Sequence, residues 1–285
     1  MKRMNSVLQA KPPRRIQRDE ALCRILVFRP VAIKLLSLLT KADPDILEVA
    51  DLIASDPGFA AELLTISNSA AFSLHSRVNT IHKAVMILGT ERTRRLVART
   101  ALHGMVRGME DDACVQNCWV HSRASAALAA WLAPQYQLHP DRAYTAALMH
   151  DIGRLGLLSA HRSRYAELLE RVSGTNETLM EAERFLFSMD HCEAGEWLTK
   201  TCGLPIEFQE AAGTHHGAVE GVPRDGNDLV ACACAIAQAL GFRAAPLVEC
   251  ASLEELLERV PAGNHLMTQF SATDLAHFVG KELEI

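Results

Sequence analysis

Helix-start signals recur along this chain at short intervals, and no window between them alternates apolar and polar residues with the period of two that a half-buried strand needs. Asp43-Pro44 and Asp56-Pro57 each set an acid able to cap free backbone N–H groups before a proline whose fixed φ suits a first helical turn. After the first signal, Ile46, Val49, Ala50 and Ile53 stand at i, i+3, i+4 and i+7, one face of an amphipathic helix. After the second, Ala60, Leu63, Leu64 and Ser67 repeat the pattern as far as Asn68-Ser69-Ala70, a turn in which Asn and Ser side chains can satisfy free backbone groups. A helix over 81–88 stops at Gly89, and a basic helix starts near Thr90. Aromatic residues are only 5% of the chain, so the core is aliphatic, a bias toward helices over sheets. The prediction is an all-α fold.

Beyond a polar, acidic seam at Gly108, Glu110, Asp111 and Asp112 the helical segments lengthen. The pattern predicts helices over 115–131, 141–158 (with Asp141 as cap), 163–172, 178–187, 191–202 and 206–216, the last two separated by Gly203-Leu204-Pro205. A helix over 229–240 and two terminal ones, near 253–260 and 273–283, complete the series. The organisation read from this is a basic flexible tail at 1–18 (Lys2, Arg3, Lys11, Arg14, Arg15 and Arg18 around Pro12-Pro13), a helical subdomain at 19–108, a helical core at 109–245 and C-terminal helices at 246–285.

A net charge of −5 gives no global electrostatic footprint for nucleic acid, and direct nucleic-acid binding is not expected. No apolar run approaches the roughly 18 residues of a membrane span, and no leader is apparent, so a cytoplasmic protein without membrane contact is expected. The eight cysteines lack paired CxxC spacing and read as buried, reduced thiols. Arg92, Arg94 and Arg95 read as a solvated helix face, with a docking surface for an acidic partner as the alternative.

The residues best suited to chemistry are histidines spread over several predicted helices. They are His121, the pair His150-Asp151, His191 and the pair His215-His216. Imidazole and carboxylate together suit a divalent metal such as iron, manganese or zinc, and facing helices can project such ligands into one buried site. Arg154 stands four residues after His150, a spacing that shares a helix face, where a basic side chain would suit a phosphate. Each histidine alone is an ordinary core or surface residue; their order and separations carry the signal.

That order resembles the HD superfamily of metal-dependent phosphohydrolases, with a His, then a His-Asp pair, then a distant Asp. His191, His215-His216 and Ser122 after the first His are similar to the branch that cleaves cyclic dinucleotides. The first half of the chain decides the branch. Arg29-Pro30-Val31-Ala32, Leu52-Ile53-Ala54-Ser55-Asp56-Pro57, Leu63-Leu64 with Asn68-Ser69-Ala70, and Ile81 through Ala84-Val85 to Leu88-Gly89 resemble the HDOD family in sequence and order. The likeness runs over about 20 to 245 and implies an HD-type, phosphodiesterase-like helical bundle with an N-terminal helical subdomain.

The resemblance implies His121, His150, Asp151, His191, His215 and His216 as a metal set, functional or vestigial, with Arg154 as a phosphate contact. It further implies a bacterial signal-transduction module whose partners are signalling proteins: a histidine kinase, a response regulator or cyclic-dinucleotide enzymes. Two departures weigh against catalysis. Cys234 stands where the last metal-binding Asp belongs, and Gly217-Ala218-Val219 replaces the Gly-Tyr-Pro signature. Cysteine is a poor substitute in a hard-oxygen site, and Asp225 and Asp228 are the carboxylates nearby that could compensate. The alternative is a metal-dependent phosphohydrolase acting on nucleotides or cyclic dinucleotides.

Overall fold

Capping side chains decide where most of the helices begin. In the computed structural model, which describes residues 16–22, 28–41, 43–69, 78–217, 223–259 and 272–284, a short α1 (Arg18–Leu22) is followed by α2 (Pro30–Leu39), α3 (Ile46–Ala54) and α4 (Pro57–Ser67). Asp56 caps α4 as its sequence predicts, accepting from the Gly58 and Phe59 amides, with Pro57 in the first turn. For α3 the cap is Asp45, not Asp43. Its carboxylate accepts from the Leu47 and Glu48 amides, and Pro44 stays outside the helix. Both acids could have served; the one adjoining the apolar stripe did. The Asn68 amide ties the end of α4 to Val78. It donates to the Leu64 and Val78 carbonyls at 2.7 and 2.9 Å and accepts from the Val78 amide at 2.8 Å, acting as a short piece of backbone.

α5 (Ile81–Met105) is two helices joined at Gly89, whose φ of 74° breaks the run where the glycine predicts a stop. α2, α3 and α4 all pack against it. Its other side meets α7 (Pro140–Met149) and α8 (Ile152–Arg171). Arg94 and Arg95 belong to this contact and not to a solvated face. Arg94 is only 1% exposed and pairs with Glu91, while Arg95 pairs with Asp141 and lies 4.2 Å over the Tyr144 ring. Arg92 alone of the three is exposed.

α6 (Ala113–Leu132), capped by Asp112, is rich in buried alanine, and this small-residue surface lets α7 and α12 (Gly226–Ala239) approach closely. A 3-10 turn, Ala133–Tyr136, leads into α7. Here the structure corrects the prediction. The stretch 141–158 is not one helix, because the chain turns a corner at His150-Asp151 between α7 and α8; Asp141 lies in the first turn of α7, whose N-cap is His139. The separate helix predicted over 163–172 is the second half of α8, beyond a kink at His161 (φ −137°, ψ 38°). α9 (Asn176–Phe187), α10 (His191–Thr201) and α11 (Ile206–Thr214) follow, then α12, α13 (Leu253–Arg259) and α14 (Ala272–Glu284). The described residues contain no strand, only an isolated bridge between Gly174 and Val248.

Among the described residues no helix is long and apolar enough to cross a membrane. The described cysteines are free thiols, buried except for half-buried Cys250. Cys23, Ala70, Ala218, Val219 and the basic residues of the tail up to Arg15 lie outside the described residues; Arg18 pairs with Glu193.

One close approach sets the depth at which α8 and α10 cross. A Cβ on Gly153 would fall 1.9 Å from the His191 carbonyl oxygen and 2.6 Å from the Gly195 nitrogen, both backbone atoms that cannot rotate away. Gly153→Ala is therefore expected to cost about 3 kcal/mol or more, the upper end of overpacking penalties. Gly195→Ala meets the Ala212 Cβ at 3.1 Å and should cost roughly 1 kcal/mol. Urea unfolding of the two variants tests the ranking; equal losses contradict it.

Candidate metal centre

The corner between α7 and α8 brings the first site residues together. His150 occupies the C-cap of α7 and Asp151 the N-cap position of α8, so both side chains leave the helix surfaces and enter the space walled by α6, α10, α11 and α12. His121 projects from α6, Cys234 from α12, His191 opens α10, and His215 and His216 end α11. Every one of them is buried except His216, which is partly exposed.

The predicted residues converge, in two adjoining groups joined by a third set of donors, His150, Asp151 and His215. In the first, His121 Nε2 lies 3.2 Å from His150 Nε2 and 3.4 Å from Cys234 Sγ. His121 Nδ1 is held by the Phe242 carbonyl at 2.8 Å, and His150 Nδ1 by the Ala147 carbonyl of its own helix. Burial drives the His121 imidazole down to about 4, and it pushes the Cys234 thiol up. The second group contains His191, Cys192, His215 and His216, with His216 Nε2 at 3.0 Å from His191 Nε2. Between the groups, Asp151 Oδ1 is 3.6 Å from His215 Nε2.

Arg154 is the centre of the second group. It does not share a helix with His150, since the corner intervenes. Its Nε faces both Asp151 oxygens, at 2.8 and 2.7 Å. One terminal nitrogen lies 3.5 Å from Glu183 Oε1, and the other is 3.0 Å from His191 Nε2 and 3.3 Å from His216 Nε2. Burial disfavours the Asp151 carboxylate, yet the adjacent guanidinium outweighs it and holds the acid well below the usual range.

Glu183 belongs to the site although the motif reading missed it. Its Oε2 accepts from the His191 backbone N–H at 2.9 Å and from His191 Nδ1 at 2.6 Å, and its Oε1 accepts from the Tyr165 hydroxyl at 2.6 Å. A signal was present: Glu183 stands midway between Leu179 and Phe187, both fully buried, on one stripe of α9. A carboxylate in such a stripe needs buried partners.

The family model of the HDOD domain matches residues 25–218, well over half of the chain. This chain belongs to the HDOD domain family. Solved structures share the fold. An HDOD domain protein of unknown function from Geobacter sulfurreducens is 21% identical, with a TM-score of 0.63 over 90% of this chain and 88% of its own. A candidate signal transduction protein from Marinobacter aquaeolei VT8 is 18% identical, with a TM-score of 0.65 over 99% of this chain and 65% of its own. A candidate phosphohydrolase from Shewanella amazonensis SB2B is 20% identical, with a TM-score of 0.61 over 92% of each chain. An uncharacterized protein of Treponema pallidum (strain Nichols) is 23% identical over 177 residues, 61% of this chain and 34% of its own length, so the chain spans about a third of that relative.

In this HDOD domain, His/Cys/Asp clusters are placed so that they could hold a metal ion. A pair of hard divalent cations does not fit the side chains as they stand. Cys234 offers a thiol where the HD-type resemblance implies a carboxylate, Asp151 spends both oxygens on Arg154, and the guanidinium already stands beside the Nε2 atoms of His191 and His216.

Two outcomes follow. Removing the guanidinium leaves Asp151 and Glu183 charged and underpartnered in the interior, so Arg154→Met should lose about 3–5 kcal/mol in urea unfolding, and Asp151→Asn in the same background should recover part of the loss. The second concerns acid. A His121 pKa near 4 in the fold, against an ordinary 6.5, means the unfolded chain binds the proton first as pH falls. Its stability contribution is whole above about pH 6.5 and is lost toward pH 4, on the order of 3 kcal/mol. Metal-free wild type should lose more stability over that window than His121→Asn; equal losses contradict the assignment.

Proposed function

We propose that this HDOD domain is a regulatory interaction module of bacterial signal transduction, acting in the cytoplasm through signalling proteins such as a histidine kinase, a response regulator or cyclic-dinucleotide enzymes, and that it does not hydrolyse phosphodiesters. The observation that supports this reading is the position of Arg154. Metal-assisted hydrolysis needs a bound hydroxide, a Lewis acid on the phosphate and room for both. Here the Asp151 carboxylate is neutralised by a permanent internal cation, Arg154, and that cation is 2% exposed with every nitrogen engaged. As a phosphate contact it would first have to leave these partners.

A second reading, a phosphohydrolase holding iron, manganese or zinc, has one specific observation in its favour. A cavity of about 550 Å³ reaches the histidine set and is lined by His215, His216, Cys234 and Gln238. The Shewanella structure described as a candidate phosphohydrolase keeps this reading in view.

Purified protein assayed with manganese, iron and zinc against cyclic dinucleotides and simple phosphodiesters is expected to show no metal-dependent turnover. Turnover that requires metal and disappears in His150→Ala would overturn the regulatory reading.

A further inference from the structure

A second cavity, of about 330 Å³, opens on the side of α6 away from the buried histidines. Trp119 and Arg123 stand four residues apart on one face of α6, whereas His121, two residues from each, falls about 200° around the helix on the opposite face. The cavity is therefore separate from the histidine centre. Its walls are Glu62 of α4, Arg99, Thr100 and His103 of α5, and Trp119 and Arg123 of α6, so the N-terminal helices and the core both contribute to it.

Its charges do not cancel. Arg99 pairs with Glu62 at 2.8 Å, and Thr100 donates its hydroxyl to the other oxygen of the same carboxylate. Arg123 pairs with no carboxylate among the described residues. One of its terminal nitrogens donates to the Glu282 carbonyl near the end of α14, at 3.0 Å, which leaves most of its five N–H groups without a protein acceptor. Burial disfavours the charged form of Arg123, and the Arg99 charge adds to that. The indole N–H of Trp119 also meets no acceptor among the described residues, and its ring stands edge-on to the His103 ring, with centroids 6.0 Å apart.

The cavity thus combines surplus donors, one uncompensated positive charge and a wall of flat rings. Surplus donors call for an acceptor-rich anion, and the planar fork of a guanidinium matches two phosphate oxygens at once. Flat aromatic walls call for a flat partner. The volume lies at the low end of the roughly 300–1,000 Å³ of ligand pockets, which admits one small molecule.

We propose that this cavity binds a small phosphorylated molecule carrying a flat ring, the chemistry of a nucleoside monophosphate, with Arg123 on the phosphate and Trp119 against the ring. Such a ligand would touch α4, α5 and α6 together and so join the N-terminal helices to the core. The proposal goes beyond the regulatory reading and does not depend on it, because binding is measured without a partner protein and without turnover.

The test is calorimetric titration of the full-length protein with AMP, GMP, adenosine and inorganic phosphate, in the presence of a chelator so that no metal at the histidine centre holds phosphate. At least one of the two nucleotides is expected to saturate a single site, about tenfold or more tighter than adenosine or phosphate alone. Arg123→Gln should weaken that binding by about tenfold or more. Nuclear magnetic resonance gives a second measurement that needs no Arg123 variant. Of the three tryptophan indole N–H signals, the one assigned to Trp119 by its loss in Trp119→Phe should move on saturation, while those of Trp131 and Trp197 stay in place. No saturation by either nucleotide below about 1 mM, phosphate or adenosine binding as tightly as the nucleotide, unchanged affinity in a folded Arg123→Gln, or a Trp119 signal that does not move would each overturn the proposal.

Discussion

Asp151 and Arg154 meet one turn apart at the start of α8, wholly out of water, and the arrangement of the surrounding helices depends on that pair. A carboxylate and a guanidinium at such depth each carry a desolvation cost of several kcal/mol, offset only by close geometry and further hydrogen bonds. Those further bonds come from other elements: Glu183 on α9, His191 on α10 and His216 at the end of α11. The tight crossing at Gly153 is what lets α10 come near enough for His191 to take part. An apolar plug of the same volume could be as stable. It would not tie four segments to one register.

The same pair sets the chemistry. A bound metal ion can be lost, exchanged or shared with a substrate, whereas a guanidinium is charged at every working pH and is tethered to its own helix. With Arg154 among His191, His216 and Asp151, those side chains already share one fixed positive charge. Cys234, which stands where the HD-type resemblance implies a carboxylate, and the buried Arg154 act in the same direction. Each disfavours a hard, exchangeable cation in the pocket. A module that signals through contacts can tolerate that; an enzyme that activates water on paired ions cannot.

How far the sequence predicts this arrangement varies from residue to residue. Asp56-Pro57 and Gly89 mark their boundaries because each combines a backbone need with the one side chain that meets it. Asp43 misleads because Asp45 caps equally well and lies closer to the stripe. The corner at His150-Asp151 has neither glycine nor proline, so helical periodicity runs straight through it, and with it went the expectation that Arg154 faces the same way as His150. Arg95 looks solvated by charge pattern alone, since only tertiary contact brings Asp141 and Tyr144 to it, and Arg94 is buried although its ion-pair partner Glu91 lies on its own helix. The histidine set was readable from its order. Glu183, its partner, was readable only as a misplaced charge on an apolar face.

The claim most worth testing is that Arg154 stands where a second cation would. Crystals grown with excess manganese and zinc, measured above the absorption edge of each metal, address it directly. The guanidinium should lie between Asp151, His191 and His216 with no anomalous peak among them. A peak within coordinating distance of His191 and His216, with the Arg154 side chain turned out of the pocket, contradicts the account.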